Sequence, residues 1–189
     1  QKLTGAPVYA RRSAADVLRT GKLSAEDPQI NAPLSKTPIP KATNVWNVND
    51  DELLGVGSVR LRAMATPGHS PGGTSWTWDA CEGDKCLRIV YADALSPASG
   101  PGFKFRAPLA GGQTTEQLLR SSIDRISGMK CDVLVTAHPA DSHFLERVAM
   151  RPANDLAAIK DEQQCKTYAE AALLQLDARV VQEESGGGR

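Results

Sequence analysis

The sequence predicts an α/β protein in which helices cover a β-sheet. The runs at 58–64, 74–78 and 132–136 have the alternation or the β-branched content of strands. The stretches at 115–127 and 162–184 place apolar residues at helical spacing. Strands followed by covering helices are typical of a layered sheet-and-helix architecture.

The length of the chain is sufficient for one well-buried domain. Nothing in the order of its 189 residues requires a second one. We therefore expect a single domain over 1–184, followed by a flexible tail at 185–189 that contains three consecutive glycines.

The first quarter of the chain is predicted to hold two short strands and one helix. The strands are expected at 7–10 and 44–48, and Ser13 can cap a helix over 14–20. Four prolines in the segment 23–41 forbid regular structure, so we expect this segment to run over the surface.

The central strands follow a turn at 49–51, which leads to the strand at 58–64. A further pair of strands is predicted at 74–78 and 87–91. Serine, proline and glycine are abundant at 94–112, which we expect to be a loop near the functional site.

The two long helices carry clear local signals. Thr114 and Gln117 have the spacing of a capping box at the start of the helix 115–127. Apolar residues recur at intervals of three or four along both helices, which predicts the faces they bury. The predicted buried residues are Leu119, Ile123, Ile126, Cys165, Tyr168, Ala172, Leu176 and Val180.

The four cysteines are spaced as two disulfides would be. Cys81 and Cys86 lie between two strand-like runs, as a clasp across a hairpin would. Cys131 opens a strand and Cys165 lies in the last helix, so a bond between them would pin this helix to the sheet. An even number of cysteines spaced in this way favours disulfides and an oxidising compartment. The alternative is reduced cysteines or a structural zinc site. Against a zinc site, neither Cys131 nor Cys165 has a second cysteine close to it in the sequence.

The composition argues against two classes of partner. The formal net charge is zero and no stretch concentrates lysine and arginine, as a nucleic-acid surface would require. No run of about 18 apolar residues is present to span a bilayer. The first residues do not have the pattern of a signal peptide. We therefore expect neither nucleic acid nor a membrane as a partner.

Two of the three histidines follow strand-like runs. His69 lies in the proline- and glycine-rich segment 66–73, and His138 follows the strand at 132–136. Imidazoles presented by neighbouring strand ends can converge on a metal. Histidines held by structural hydrogen bonds are the alternative, and for this pattern alone they are the more frequent case. His143 has the position of a surface histidine near the start of a helix.

Three motifs together resemble one known family. The runs T-P-G-H-S-P-G-G-T-S-W-T-W at 66–78, Y-A-D-A-L-S at 91–96 and V-T-A-H-P at 135–139 occur in the order found in metallo-β-lactamases of the third subclass. The resemblance covers nearly the whole chain. It implies an αββα sandwich that is incomplete here at its N-terminus. The His-x-His-x-Asp-His signature of the family is absent from the 189 residues, and we expect it to lie upstream of Gln1.

The resemblance implies roles for several residues. His69 would bind the first of two zinc ions and His138 the second, with the other ligands supplied by the absent signature. Ser96 matches a position associated with binding the substrate carboxylate. Independently of the resemblance, the position of Asp93 at the end of a strand would let it accept a hydrogen bond from a ligand imidazole or cap the following turn. Ala94 departs from the family, which commonly has a serine there.

The function that the resemblance implies is zinc-dependent hydrolysis of the β-lactam amide bond, and hence antibiotic resistance. The cysteine spacing, which favours an oxidising compartment, predicts a periplasmic or secreted protein. A catalytic zinc needs three protein ligands. Because this chain offers one to each metal, we expect the isolated chain to bind zinc weakly and to hydrolyse little. We also expect it to pair with the missing portion or to self-associate, since a sheet edge and apolar surface would be exposed.

Two other interpretations remain. One is another hydrolase of the same fold, such as a lactonase or a thioesterase. The other is an inactive fragment or a binding subunit whose histidines bind no metal.

Overall fold

A computed structural model of the protein describes residues 1, 3–152 and 155–186. In this part of the chain, seven strands and four α-helices are present. The strands are β1 (Val8–Ala10), β2 (Val45–Asn47), β3 (Leu53–Val56), β4 (Val59–Ala65), β5 (Thr74–Glu82), β6 (Lys85–Ala92) and β7 (Val133–Thr136). The helices are α1 (Arg12–Thr20), α2 (Thr115–Ser127), α3 (Phe144–Met150) and α4 (Gln164–Gly186). Single turns of 3₁₀-helix lie at Pro33–Lys36, Pro139–Asp141 and Leu156–Ile159.

The strands form two sheets. The larger has five strands in the order β3-β4-β5-β6-β7, and β1 pairs with β2 in a separate parallel ribbon. Strands β3 to β6 are successively antiparallel, whereas β7 runs parallel to β6. As a result, β4, β6 and β7 all end at the same edge of the sheet. Residues that follow these three strands are therefore brought together, although they lie far apart in the sequence.

Helices α2 and α4 cover one face of the larger sheet and form the core with it. The capping box is present, because the Thr114 hydroxyl accepts from the Gln117 backbone and the Gln117 side chain accepts from the Thr114 backbone. All eight residues predicted to be buried on these two helices are buried. They pack against sheet residues such as Val90 and Leu134.

Both predicted cysteine pairs are at disulfide distance. The Cα atoms of Cys81 and Cys86 are 4.0 Å apart and face each other across the β5–β6 hairpin. The Cα atoms of Cys131 and Cys165 are 6.1 Å apart, and this bond links the start of β7 to α4. The described residues include no free cysteine.

The local structure differs from the sequence prediction in several places. Strand β3 was not predicted, because its four residues include Gly55 and have no clear alternation. Helix α3 begins directly after His143, as the sequence predicted for that histidine, and it is only seven residues long. The predicted cap Ser13 is wrong, since α1 begins at Arg12 after Arg11 without a side-chain cap. Segment 23–41 is not wholly on the surface, because Asp27 is buried.

The end of α4 also differs from the prediction. A flexible tail was expected at 185–189, but α4 continues through Ser185 to Gly186. Residues 187–189 lie outside the described part of the chain.

Candidate metal centre

The loop that carries His69 connects β4 to β5 and is fixed by close packing at its glycines. Gly68 has φ of 134° and lies against Leu119 of α2. A Cβ atom at Gly72 would collide with the backbone of Ala14, and one at Gly73 would collide with the carbonyl oxygen of Thr66. Only Gly68 therefore needs its conformational freedom here. Gly72 and Gly73 are required for a different reason, because neighbouring backbone atoms leave no room for a Cβ atom at either position.

The two ends of this loop, Thr66 and Gly73, are joined at its neck by backbone hydrogen bonds. The amide of Thr66 donates to the carbonyl of Gly73 at 3.0 Å, and the amide of Gly73 donates to the carbonyl of Ser70 at 3.2 Å. In addition, Ser122 of α2 donates to the carbonyl of Pro67 at 2.6 Å. His69 thus projects from a loop whose backbone is held from several sides.

Both ring nitrogens of His69 have a hydrogen-bond partner. Nδ1 lies 2.8 Å from the carbonyl oxygen of Ser96, and Nε2 lies 2.9 Å from the side-chain Nε2 of Gln29. A carbonyl oxygen only accepts and an amide NH₂ only donates. In the neutral ring, these two partners place the proton on Nδ1 and leave the lone pair on Nε2. A backbone acceptor on one nitrogen commonly orients a histidine that binds a metal through the other.

His138 follows β7 and reaches the same edge of the sheet. The ring centroids of His69 and His138 are 6.3 Å apart and their planes are inclined at 73°. The ring of His138 is exposed. Its backbone is held by Thr136, whose hydroxyl donates to the carbonyl of His138 at 2.7 Å. The convergence of the two imidazoles that the sequence predicted is therefore present.

Asp93 lies between the two histidines in sheet order, at the end of β6. Its carboxylate accepts from the backbone of Thr74 at 3.0 Å and from the backbone of Ala94 at 2.9 Å. Among the described residues, no imidazole donates to it. Of the two roles that the sequence left open, the contacts match the capping of a turn. Through Thr74, Asp93 also ties the start of β5 to the end of β6.

Ser96 lies beside His69. Its hydroxyl oxygen is 3.2 Å from Nδ1 of His69, in addition to the contact made by its carbonyl. The segment before it is anchored by Tyr168 of α4, which accepts from the backbone of Leu95 and donates to the carbonyl of Asp93. Burial raises the pKa of Tyr168 to about 12, so its hydroxyl stays protonated at neutral pH.

His143 does not join this group. It lies at the start of α3, its side chain is 74% exposed, and Nδ1 is 2.9 Å from a carboxylate oxygen of Glu146. This agrees with the surface position that the sequence predicted for it.

Gln29 was missed by sequence reasoning. It lies in the proline-rich segment 23–41, where no local pattern marks it. The segment folds back because the amide of Gly100 donates to the carbonyl of Pro28 at 2.8 Å. This long-range contact, together with the bond from the backbone of Ala110 to the carboxylate of Glu26, holds the segment that carries Gln29.

The ligand set within the described residues is partial. No group of three or more histidine, cysteine, aspartate or glutamate side chains is arranged there to hold a metal ion. His69 offers a lone pair on Nε2 and His138 offers an exposed ring, which suit zinc in donor type. Zinc sites use three or four protein ligands, so these two imidazoles do not complete one.

Comparison with solved structures identifies the family. The Rm3 metallo-β-lactamase has a TM-score of 0.90 and 38% sequence identity over 97% of this chain and 67% of its own. This chain belongs to the subclass B3 metallo-β-lactamases. MEM-A1, a subclass B3 metallo-β-lactamase isolated from a soil metagenome library, matches with a TM-score of 0.91 at 33% identity, over 98% of this chain and 69% of its own. SMB-1, solved in a complex with mercaptoacetic acid, matches with a TM-score of 0.86 at 33% identity, over 97% and 68% respectively.

The comparisons confirm the predicted family and the metallo-β-lactamase fold. The chain thus has the fold of β-lactam hydrolases and spans about two thirds of the length of these three metallo-β-lactamases. No protein-family model matches its sequence. In the described part of this metallo-β-lactamase chain, every helix is too short or too polar to cross a membrane.

Proposed function

We propose that this chain carries part of a dizinc site for hydrolysis of the β-lactam amide bond, in which His69 and His138 each bind one zinc. The observation that supports this most strongly is the convergence of their rings, 6.3 Å apart, on separate loops after β4 and β7. A bound zinc would lower the pKa of its water to about 7 and polarise the carbonyl under attack.

The separation of the rings favours two ions over one. With zinc–nitrogen distances of about 2.0–2.1 Å and tetrahedral angles, two imidazoles on one ion would have centroids about 5 Å apart. The observed 6.3 Å is larger. His69 and His138 therefore suit neighbouring ions better than a shared ion.

Ser96 is proposed to contact the substrate. Its hydroxyl is half-buried beside His69, so it can donate to a substrate carboxylate while its carbonyl continues to accept from Nδ1 of His69. In this arrangement a single residue orients one metal ligand and binds substrate.

The remaining zinc ligands are proposed to come from polypeptide outside the 189 residues. A groove of about 320 Å³ lies on the sheet face opposite α2 and α4. It is lined almost entirely by apolar groups, including Leu54, Leu61, Trp76, Trp78 and Tyr91. We propose that its occupant corresponds to the third of the Rm3 and MEM-A1 chains that this chain does not match. Such a segment would cover this face and supply the missing ligands.

Zinc titration and β-lactam hydrolysis test the proposal together. The isolated chain is expected to bind zinc weakly and to show little turnover of a chromogenic β-lactam. Co-expression with a segment that carries the His-x-His-x-Asp-His signature is expected to restore both. His69→Gln and His138→Gln should each abolish this gain, whereas the surface variant His143→Gln should not.

Three results would contradict the proposal. If the zinc affinity does not depend on His69 and His138, these residues are not the ligands. If the isolated chain turns over β-lactam robustly, no further ligands are needed. If a stable homodimer buries Trp76 and Trp78 and the signature-bearing segment does not displace it, a second copy of the chain covers the apolar groove instead.

We further propose that the protein works in an oxidising compartment, either the periplasm or outside the cell. Two cysteine pairs at disulfide distance support this, because such bonds persist where thiols are not kept reduced. Thiol titration of the protein recovered from its native host should detect no free thiols. Four free thiols would contradict the proposal.

A further inference from the structure

A cavity behind the His69 loop plays no part in the proposed zinc site. It has a volume of about 260 Å³ and lies between α1, the following segment and the loop residues 70–72. Its apolar wall includes Val17, Leu18, Leu23 and Pro71. A second cavity of about 240 Å³ shares Leu23, Asp27 and Ser70 with the first. Together they have the size of a small-molecule site, with an apolar wall in the first cavity and a mixed polar and apolar lining in the second.

One carboxylate borders both cavities. Asp27 is only 4% exposed. Its Oδ1 accepts from the backbone of Gln29 at 2.8 Å, and among the described residues neither a second donor nor a lysine or arginine pairs with the carboxylate. The charge that His69 carries when it is protonated acts on Asp27, but no hydrogen bond or ion pair joins these two described side chains. An ionised carboxylate buried without a bonded partner cation is costly for a folded protein. The residues that line the two cavities include no other ionisable side chain.

We propose that this cavity binds a small amphiphilic cation, an amine with a hydrocarbon body, whose ammonium group pairs with Asp27. Two observations carry the proposal independently: the apolar wall on α1, which would bury the hydrocarbon, and the unpaired carboxylate at its edge. Ser24 and Ser70 also line the first cavity, and a serine hydroxyl can accept further ammonium hydrogens.

The ligand would lie directly behind the candidate metal centre. Ser70, Pro71 and Gly72 line the cavity and immediately follow His69 in the sequence. Asp27 also holds the backbone of Gln29, whose side chain contacts Nε2 of His69. Binding is therefore expected to perturb the His69 ring, and this perturbation locates the ligand without any assay of hydrolysis.

Titration of the metal-free chain with n-hexylamine and n-hexanol tests the proposal. Both molecules have the same hydrocarbon body, and only the amine is charged at pH 7. The amine is expected to bind at least tenfold more tightly, with shifts in the NMR signals of Ser70, Gly72 and the His69 ring. Asp27→Asn should remove the preference for the amine while the alcohol still binds. Asp84→Asn, which changes an exposed carboxylate in the β5–β6 turn, is the matched control and should leave the preference intact.

The proposal would be overturned by equal affinities for the two molecules, or by an amine preference that survives in a folded Asp27→Asn variant. Val17→Phe places a larger side chain in the cavity and is expected to weaken the binding of both molecules. If that variant fails to fold, the comparison of amine and alcohol on Asp27→Asn still decides. Because no zinc is present, the result is independent of the proposed hydrolytic function.

Discussion

The side-chain Nε2 of Gln29 lies 2.9 Å from Nε2 of His69, which is the ring nitrogen that carries the lone pair in the neutral ring. The opposite nitrogen donates to the carbonyl of Ser96. Gln29 therefore occupies the atom through which His69 would bind zinc. This hydrogen bond must break before the metal binds, so its free energy makes zinc binding correspondingly less favourable.

Gln29→Ala is accordingly expected to tighten zinc binding by the isolated chain. A neutral hydrogen bond contributes about 0.5–1.5 kcal/mol, which corresponds to an increase of roughly two- to tenfold. Competition with a chromogenic chelator measures the affinity. Gln182→Ala, an exposed change on α4, should have no effect. A weaker affinity in Gln29→Ala would mean that Gln29 assists the metal.

Gly73→Ala is expected to destabilise the fold and displace His69. The new Cβ would collide with the carbonyl oxygen of Thr66 at the neck of the loop. We expect a loss of about 2 kcal/mol in the free energy of unfolding, together with a shift of the His69 ring signals. Urea denaturation and NMR measure the two effects. Gly111→Ala, in open space, should leave both unchanged, and equal behaviour of the two variants would contradict the packing argument.

The two disulfides are expected to differ in their contribution to stability. The Cys131–Cys165 bond spans 34 residues and the Cys81–Cys86 bond spans 5. The chain-entropy model gives about 4 kcal/mol for the longer loop and about 2 kcal/mol for the shorter one. Double serine variants of each pair, compared by urea denaturation, check the order. A larger loss for the 81–86 pair would contradict the prediction.

The stability of the chain is expected to depend on pH through Asp27. Burial raises the pKa of this carboxyl above its ordinary value of 3.8, and the hydrogen bond from Gln29 and the charge that His69 carries whenever it is protonated oppose that shift. Proton binding by Asp27 is thus more favourable in the folded state than in the unfolded chain, and the group ionises once the pH passes its folded-state pKa. The stability that proton binding provides is complete below pH 3.8 and is lost as the pH rises through the folded-state pKa.

Asp27→Asn should therefore be more stable than the native chain at pH 7, and the difference should shrink towards zero on acidification. Thermal unfolding followed across this pH range measures it. Asp84→Asn should show no such trend, because that carboxylate is exposed. A lower stability of Asp27→Asn at pH 7 would show that the ionised group is favourable where it lies.

Local patterns predicted the elements that are themselves local. The capping box of α2 and the buried stripe of α4 follow from residues three and four positions apart, and both are present. The convergence of His69 and His138 needed strand order as well, which the family resemblance provided.

The features that the sequence did not reveal depend on distant contacts. Strand β3 forms by pairing with β4, since its own four residues show no alternation of apolar and polar side chains. Gln29 reaches His69 because distant residues, among them Gly100 and Ala110, hold its segment. No pattern within 23–41 encodes either that contact or the burial of Asp27.

Zinc binding by His69 and His138 can be followed at the ring nitrogens of the three histidines, by ¹H–¹⁵N NMR during a zinc titration of the chain. We expect Nε2 of His69 and one ring nitrogen of His138 to change chemical shift as zinc is added, while the ring of His143 does not. A titration in which His69 and His138 stay unchanged at saturating zinc would contradict this expectation.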